Sequence, residues 1–347
     1  MKKLTLRLIV TLLALTLVMI PLVSCGSDDS GASTTTAQNN DNNNTPTLDK
    51  ELEIKIYLLN GTTALGASKL ISDTKNGTAD MNYKVETFAA ADSITGAIVT
   101  GECAVAALPT NAAANLYKKS GGKVQLLAVN TLGVLYLLNN GEEISDFESL
   151  KGKTVYLPGA GSNPEFITAA LFEANGLTKD DVTLDTATYP SPDALSAAVI
   201  SGDAKLAVLP QPKVTVVMSK NDKVEIAMDF TAEWEEVYGK DTMARGCLVV
   251  NTQFAKDHPA ELSKFLDDYK ASVEYIAGGS DEAIQMIVDA GILPSAAVAK
   301  TALPSCNICF IEGKAMKDAI SVFYEKLYAS NNKSIAAIPD DAFYYAR

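Results

Sequence analysis

Groups able to do covalent chemistry are scarce in this chain, and their spacing does not assemble a catalytic centre. The one histidine, His258, stands directly before Pro259, the arrangement of a helix start. It is therefore read as a surface boundary residue and not as a general base. Cys306 and Cys309 form a CxxC, open to four readings: a disulfide, half a metal site, a redox pair, or buried thiols beside a strand over 308–311. No second CxxC or His pair accompanies them, which argues against zinc. No nucleophile elbow and no phosphate-binding Walker loop is present in the sequence. What remains are short clusters of hydroxyls, amides and glycines: Asn60, Gly61, Thr62 and Thr63; Pro109, Thr110 and Asn111; Gly161, Ser162 and Asn163 before Pro164; and Gln211 before Pro212. Their chemistry is noncovalent. Where a strand ends and a helix starts, unpaired backbone N–H groups hold anions or electron-rich atoms.

Apolar strands and amphipathic helices must position these clusters, and an internal repeat supplies the pattern. DSITGAIVTGECAVAALP from Asp92 and DALSAAVISGDAKLAVLP from Asp193 lie 101 residues apart and share six identities. Each predicts a helix, with Ile94, Ala97 and Ile98 or Leu195, Ala198 and Val199 on its apolar face, closed by a left-handed glycine at Gly101 or Gly202. An unalternating apolar strand follows, over 104–108 or 206–209, as expected of a strand buried on both faces of a parallel sheet. Two copies of this unit predict two similar α/β lobes. Ligands of open parallel sheets bind beyond the carboxyl ends of strands, so the loops after Leu108 and Leu209 are expected to face a shared cleft. A further strand over 54–58 leads through Asn60–Thr63 into a helix near Ala64, with Thr62 or Thr63 as its cap.

The N-terminus is expected to be an export device. Lys2, Lys3 and Arg7 precede a short apolar run over 8–20. The following Leu22, Val23, Ser24 and Cys25 resemble a bacterial lipobox, so residues 1–24 are read as a signal peptide and Cys25 as a lipidated first mature residue anchoring the chain to a membrane. Residues 25–49, rich in Ser, Thr, Asn, Asp and Gly, are read as a flexible tether. Removing Lys2, Lys3 and Arg7 from 29 basic residues leaves 26 against 42 acidic ones, a formal charge near −16, which excludes a nucleic-acid partner. After cleavage the only arginines are Arg245 and Arg347, so an anion is expected to lean mainly on backbone amides or lysine.

Five segments together resemble the nitrate, sulfonate and pyrimidine-precursor branch of ABC importer binding proteins, which have the type II periplasmic-binding fold. They are ALPTNAAANLY from Ala107, LLAVNTLGVLYLL from Leu126, SLKGKTVYLPGAGSNPE from Ser149, AVLPQP ending at Pro212 and IPDDAFYY from Ile338. The sequence departs from the branch where Asn60–Thr63 replaces a Lys, Gly, Pro, Thr pattern, and where Ala336 and Ala337 replace a Gly pair. The resemblance implies an α/β fold of two Rossmann-like lobes joined by two hinge strands, with residues 50–135 and 247–347 in lobe one and 136–246 in lobe two. It implies an extracytoplasmic, monomeric binding protein without catalytic activity, cofactor or metal, whose lobes close on a small sulfonate, nitrate or pyrimidine-like molecule and pass it to ABC permease subunits. Thr131 and Gly133 would lie at the hinge beside that ligand. Trp234 is open to two readings, a ring stacked on a planar ligand or a core residue, and Tyr344 and Tyr345 share the ambiguity. An enzyme of the same fold, such as a lyase, and a sensory receptor without a transporter are the alternatives.

Overall fold

The first four strands alternate with helices. A computed structural model describes residues 48–330 and 334–347, so the export segment, Cys25 and the tether to residue 47 lie outside the described residues. Strands β1 (Ile54–Leu59), β2 (Tyr83–Phe88), β3 (Val105–Pro109) and β4 (Val124–Thr131) begin one sheet. The chain then builds a second sheet from β5 (Leu135–Asn139), β6 (Thr154–Tyr156), β7 (Thr183–Asp185), β8 (Leu206–Pro210) and β9 (Glu225–Asp229). It returns to the first with β10 (Gly246–Asn251) and β11 (Ile308–Glu312). The sheet orders are β11-β4-β10-β3-β1-β2 and β7-β6-β8-β5-β9. Both belong to one compact unit, Pro46–Arg347.

The repeat has the structure its sequence predicts. The helices Asp92–Thr100 and Pro192–Ser201 end at Gly101 and Gly202, both left-handed at φ 79° and 89°. The strands β3 and β8 then occupy the same place in their sheets. The sheets are mixed rather than parallel: β3 lies between parallel β1 and antiparallel β10, and β8 between parallel β6 and antiparallel β5. The reason is topological, since β10 and β5 are the strands that enter each sheet directly from the other lobe. Burial on both faces survives. Ala106 and Leu108 face the core shared by the lobes, while Val105 and Ala107 face a second core of lobe one.

The sheet boundaries differ slightly from the expected ones. Leu135 pairs with Pro210 in the second sheet and Gly246 pairs with Pro109 and Thr131 in the first, so each border moves by one residue. The crossings are residues 132–134 and 239–245. The largest core runs through both lobes, from Ile94 and Val249 to Leu137, Trp234 and Phe323. Its carrier is the helix Gly313–Ser330, which follows β11 in lobe one yet packs against the lobe-two helices Asn163–Ala174 and Phe230–Tyr238.

Candidate functional site

Register places the polar clusters. In the first sheet Thr131 pairs with Gly246, Gly246 with Pro109, and Leu58 with Ala107. The carboxyl ends of β1, β3 and β4 therefore lie together, at the end where the chain crosses. In the second sheet Leu135, the first residue after the crossing, pairs with Pro210, and Tyr136 pairs with Asp229. The ends of β8 and β9 thus meet the crossing from the other side, and parallel β6, whose Tyr156 lies beside Ala207, points the same way. The loops Asn60–Thr63, Pro109–Asn111, residues 157–163 and Gln211 all open toward the hinge.

Three helices that start there, at Thr62, Thr110 and Asn163, have no side-chain cap, as is also true of those starting at Ser68, Asp92 and Pro259. At Lys213 the Gln211 side-chain oxygen accepts from Thr215 N of the first turn, and Asp229 caps the helix that follows β9, as Ser191, Asn251, Ser280 and Ser295 cap others. The expected cap by Thr62 or Thr63 is absent because the Thr63 hydroxyl donates to the Leu59 carbonyl at 2.7 Å. Ser162 likewise donates, to the carbonyls of Pro158 and Gly159 at 3.1 and 2.9 Å, and leaves the first amides of its helix without a side-chain acceptor.

Several expected contact residues serve the hinge. Asn130 donates to the Thr63 carbonyl and the Tyr269 hydroxyl, both at 3.0 Å. Thr131 is fully buried, and its hydroxyl lies 3.4 Å from the Thr62 carbonyl. Gly246 permits this closeness, since a Cβ there would come within 2.6 Å of Thr63 and 2.7 Å of the Asn130 oxygen. Gly133 is required similarly, because a Cβ would lie 2.3 Å from the Thr231 hydroxyl. Its carbonyl accepts from the Asn307 amide, and Gln211 N donates to the Val134 carbonyl at 2.9 Å. Thr110 is buried, with its hydroxyl on the Ala244 carbonyl at 2.7 Å. Gln211 is also buried, and its side-chain oxygen accepts from Thr215. Asn60 and Gly61 remain at the loop, Gly61 at φ 113°. Asn111 is half-buried and Gly161 is exposed.

Of the two readings of Trp234, the structure takes the core one. The indole has no exposed surface, its N–H donates to Thr242 at 3.0 Å, and its ring lies 5.5 Å from that of Phe323. No face is left for stacking on a ligand. The CxxC resolves as thiols: all four cysteines among the described residues are unbridged. Burial pushes Cys306 and Cys309 up to about 12.

Sequence reasoning counted Arg245 as one of two arginines available to an anion but did not place it among the site residues. The Arg245 backbone extends the ladder of β10, with N–H donating to the Thr131 carbonyl at 2.9 Å and carbonyl accepting from Thr110 N at 3.1 Å. Its Nε and Nη1 are sealed from solvent and make no hydrogen bond among the described residues. Burial alone pushes the guanidinium down to about 10. Arg347, by contrast, is tied to Glu312 and Asp267 at 2.8 and 2.7 Å. The available signal was scarcity: with two arginines in the folded region, one standing just before a returning strand merited notice. Asn163 is 5% exposed and both of its amide atoms lack partners, as does the buried hydroxyl of Thr231.

Two α/β lobes, two chain crossings and polar loops converging on the hinge define a protein of the periplasmic-binding class. Solved structures share this fold. An ABC transporter structure from Parabacteroides distasonis is similar at TM-score 0.71 and 21% identity, covering 86% of this chain and all of that one. The periplasmic aliphatic sulphonate binding protein SsuA from Escherichia coli is similar at 0.67 and 15%, covering 85% and 92%. The alkanesulfonate-binding protein SsuA from Xanthomonas axonopodis pv. citri, bound to MOPS, is similar at 0.62 and 13%, covering 84% and 96%. No curated protein sequence matches this chain. A family model described as NMT1/THI5 like matches residues 83–283, more than half the chain, and the protein belongs to that family.

Proposed function

We propose that this chain is the solute-binding component of an ABC importer, which captures a small polar molecule between its lobes by hinge closure and delivers it to permease subunits without chemical conversion. The observation that supports this most is the convergence of three uncapped helix starts on one hinge. Backbone N–H groups there bind polar atoms, and two short crossings let the lobes rotate as bodies. Sulfonate binding is named for two of the similar structures, and an extracytoplasmic position on a Cys25 lipid anchor suits such a role. Among the described residues no helix is long and apolar enough to cross a membrane.

A thermal-shift screen of the mature chain against sulfonates, nitrate, pyrimidines, amino acids and small carboxylates tests the proposal. A ligand at a hundred times its dissociation constant adds about 2.7 kcal/mol of stability. One strong hit recovered unchanged supports capture. Conversion of the hit, or no hit at all, overturns it.

A further inference from the structure

We infer that the cargo has two chemically different ends, an oxyanion that meets Arg245 at the hinge and an N–H or O–H donor that meets Asn163 on lobe two. The inference rests on the solute-binding reading above and narrows it to a substrate class.

Arg245 supplies the first half. Arg245 directly precedes β10, and its backbone is bonded to Thr131 and Thr110 at the strand ends that meet the crossing. Its Nε and Nη1 are buried without a partner although the residue as a whole is half-buried, and a cation so placed destabilises a fold unless a counter-charge reaches it. None of the ion pairs among the described residues involves it. The helix Thr110–Ser120 starts on the neighbouring strand end without a cap, and the partial positive charge of its first turn reinforces the same preference for an anion.

Asn163 supplies the second half. It opens the helix Asn163–Ala174, is 5% exposed, and has both Oδ1 and Nδ2 without a hydrogen-bond partner. Whichever way the amide is turned, it asks for one acceptor and one donor. An anion such as nitrate or an unsubstituted alkanesulfonate carries acceptors only, and would leave the Asn163 oxygen desolvated and unmatched. A cargo that satisfies both residues is an organic anion bearing a hydroxyl, amine or amide N–H.

Calorimetry on the full mature chain with three pairs of probes tests this: ethanesulfonate and 2-hydroxyethanesulfonate, propionate and 3-hydroxypropionate, ethylphosphonate and 2-hydroxyethylphosphonate, with 1,3-propanediol as the neutral control. For the matching head group the hydroxylated member binds about tenfold more tightly, the worth of one buried hydrogen bond. Asn163→Leu erases that tenfold difference. Arg245→Gln weakens both members of the pair by about a hundredfold or more, as loss of a charge-assisted contact requires. Ligand-free Arg245→Met melts no lower than the parent, because it removes an uncompensated charge; a clear drop would make Arg245 a structural cation and overturn the inference. Equal binding of the diol, unchanged affinity in Arg245→Gln, or no binding by any of the anions overturns it too. In those cases a neutral solute that raises the melting temperature keeps the solute-binding reading alive, and the absence of any such solute removes both.

Discussion

Replacing Phe323 by Leu tests whether the seam between the lobes is the contact that moves. Phe323 lies on the lobe-one helix Gly313–Ser330 and Trp234 on the lobe-two helix Phe230–Tyr238; neither has exposed surface, and their rings lie 5.5 Å apart at 57°. The Trp234 indole is also bonded to Thr242 within the second crossing, so lobe rotation disturbs both of its contacts. An aromatic pair contributes about 0.5–1.5 kcal/mol beyond the area it buries. Leucine keeps most of the apolar volume, so the loss falls chiefly on the pair. At 1.36 kcal/mol per decade, that shifts the balance by about two- to thirteenfold away from the lobe arrangement in which the two rings meet. Because Trp234 is the only tryptophan, intrinsic fluorescence reads this seam alone. In Phe323→Leu the ligand-free emission moves to longer wavelength, and saturating ligand restores the parental spectrum with an apparent affinity weakened by the same factor. An emission that neither the substitution nor ligand changes, together with a lower melting temperature, refutes the reasoning and makes the seam ordinary core.

Gly246→Ala forces a Cβ against Thr63, Asn130 and Thr131 at 2.6–3.0 Å; it is expected to cost about 1–3 kcal/mol in denaturant unfolding and to abolish ligand-induced stabilisation, since it wedges the β1 loop off the hinge. With Cys306 and Cys309 pushed up to about 12 by burial, the native protein resists iodoacetamide at pH 8 and its thiols react only after unfolding, as mass spectrometry would record. Hydrogen bonds from Thr178 and Thr188 hold Asp181 and Asp185 below their ordinary 3.8, and the Lys153 contact holds Glu142 below 4.5. Their folded values are depressed, so the stability they contribute is complete above those ordinary values and is lost as pH falls below them; a melting temperature that stays level from pH 5 to pH 2 contradicts this.

Much of the architecture was legible in the sequence because it follows from local pattern. The glycine stops at Gly101 and Gly202, the unalternating runs that became β3 and β8, and the polar clusters after strand ends are all short-range signals, and each lies where it was expected. Nothing in those runs distinguishes a parallel from an antiparallel neighbour, so the mixed pairing of β3 with β10 and of β8 with β5 depended on which strands return from the other lobe. The same limit governed the site. Thr63, Thr110 and Gln211 have the composition of ligand contacts, yet tertiary closeness turned their side chains onto backbone carbonyls and neighbouring residues of the hinge region. Trp234 looked equally suited to a ligand or a core until Phe323, 89 residues away in sequence, was seen to cover it. Arg245 was counted as one of two arginines but not placed in the site, because an isolated arginine is ordinary in a sequence and its meaning lies in what does not surround it. Local sequence determines which segments become helix or strand and where they stop; long-range packing alone decides which polar atoms are left without partners.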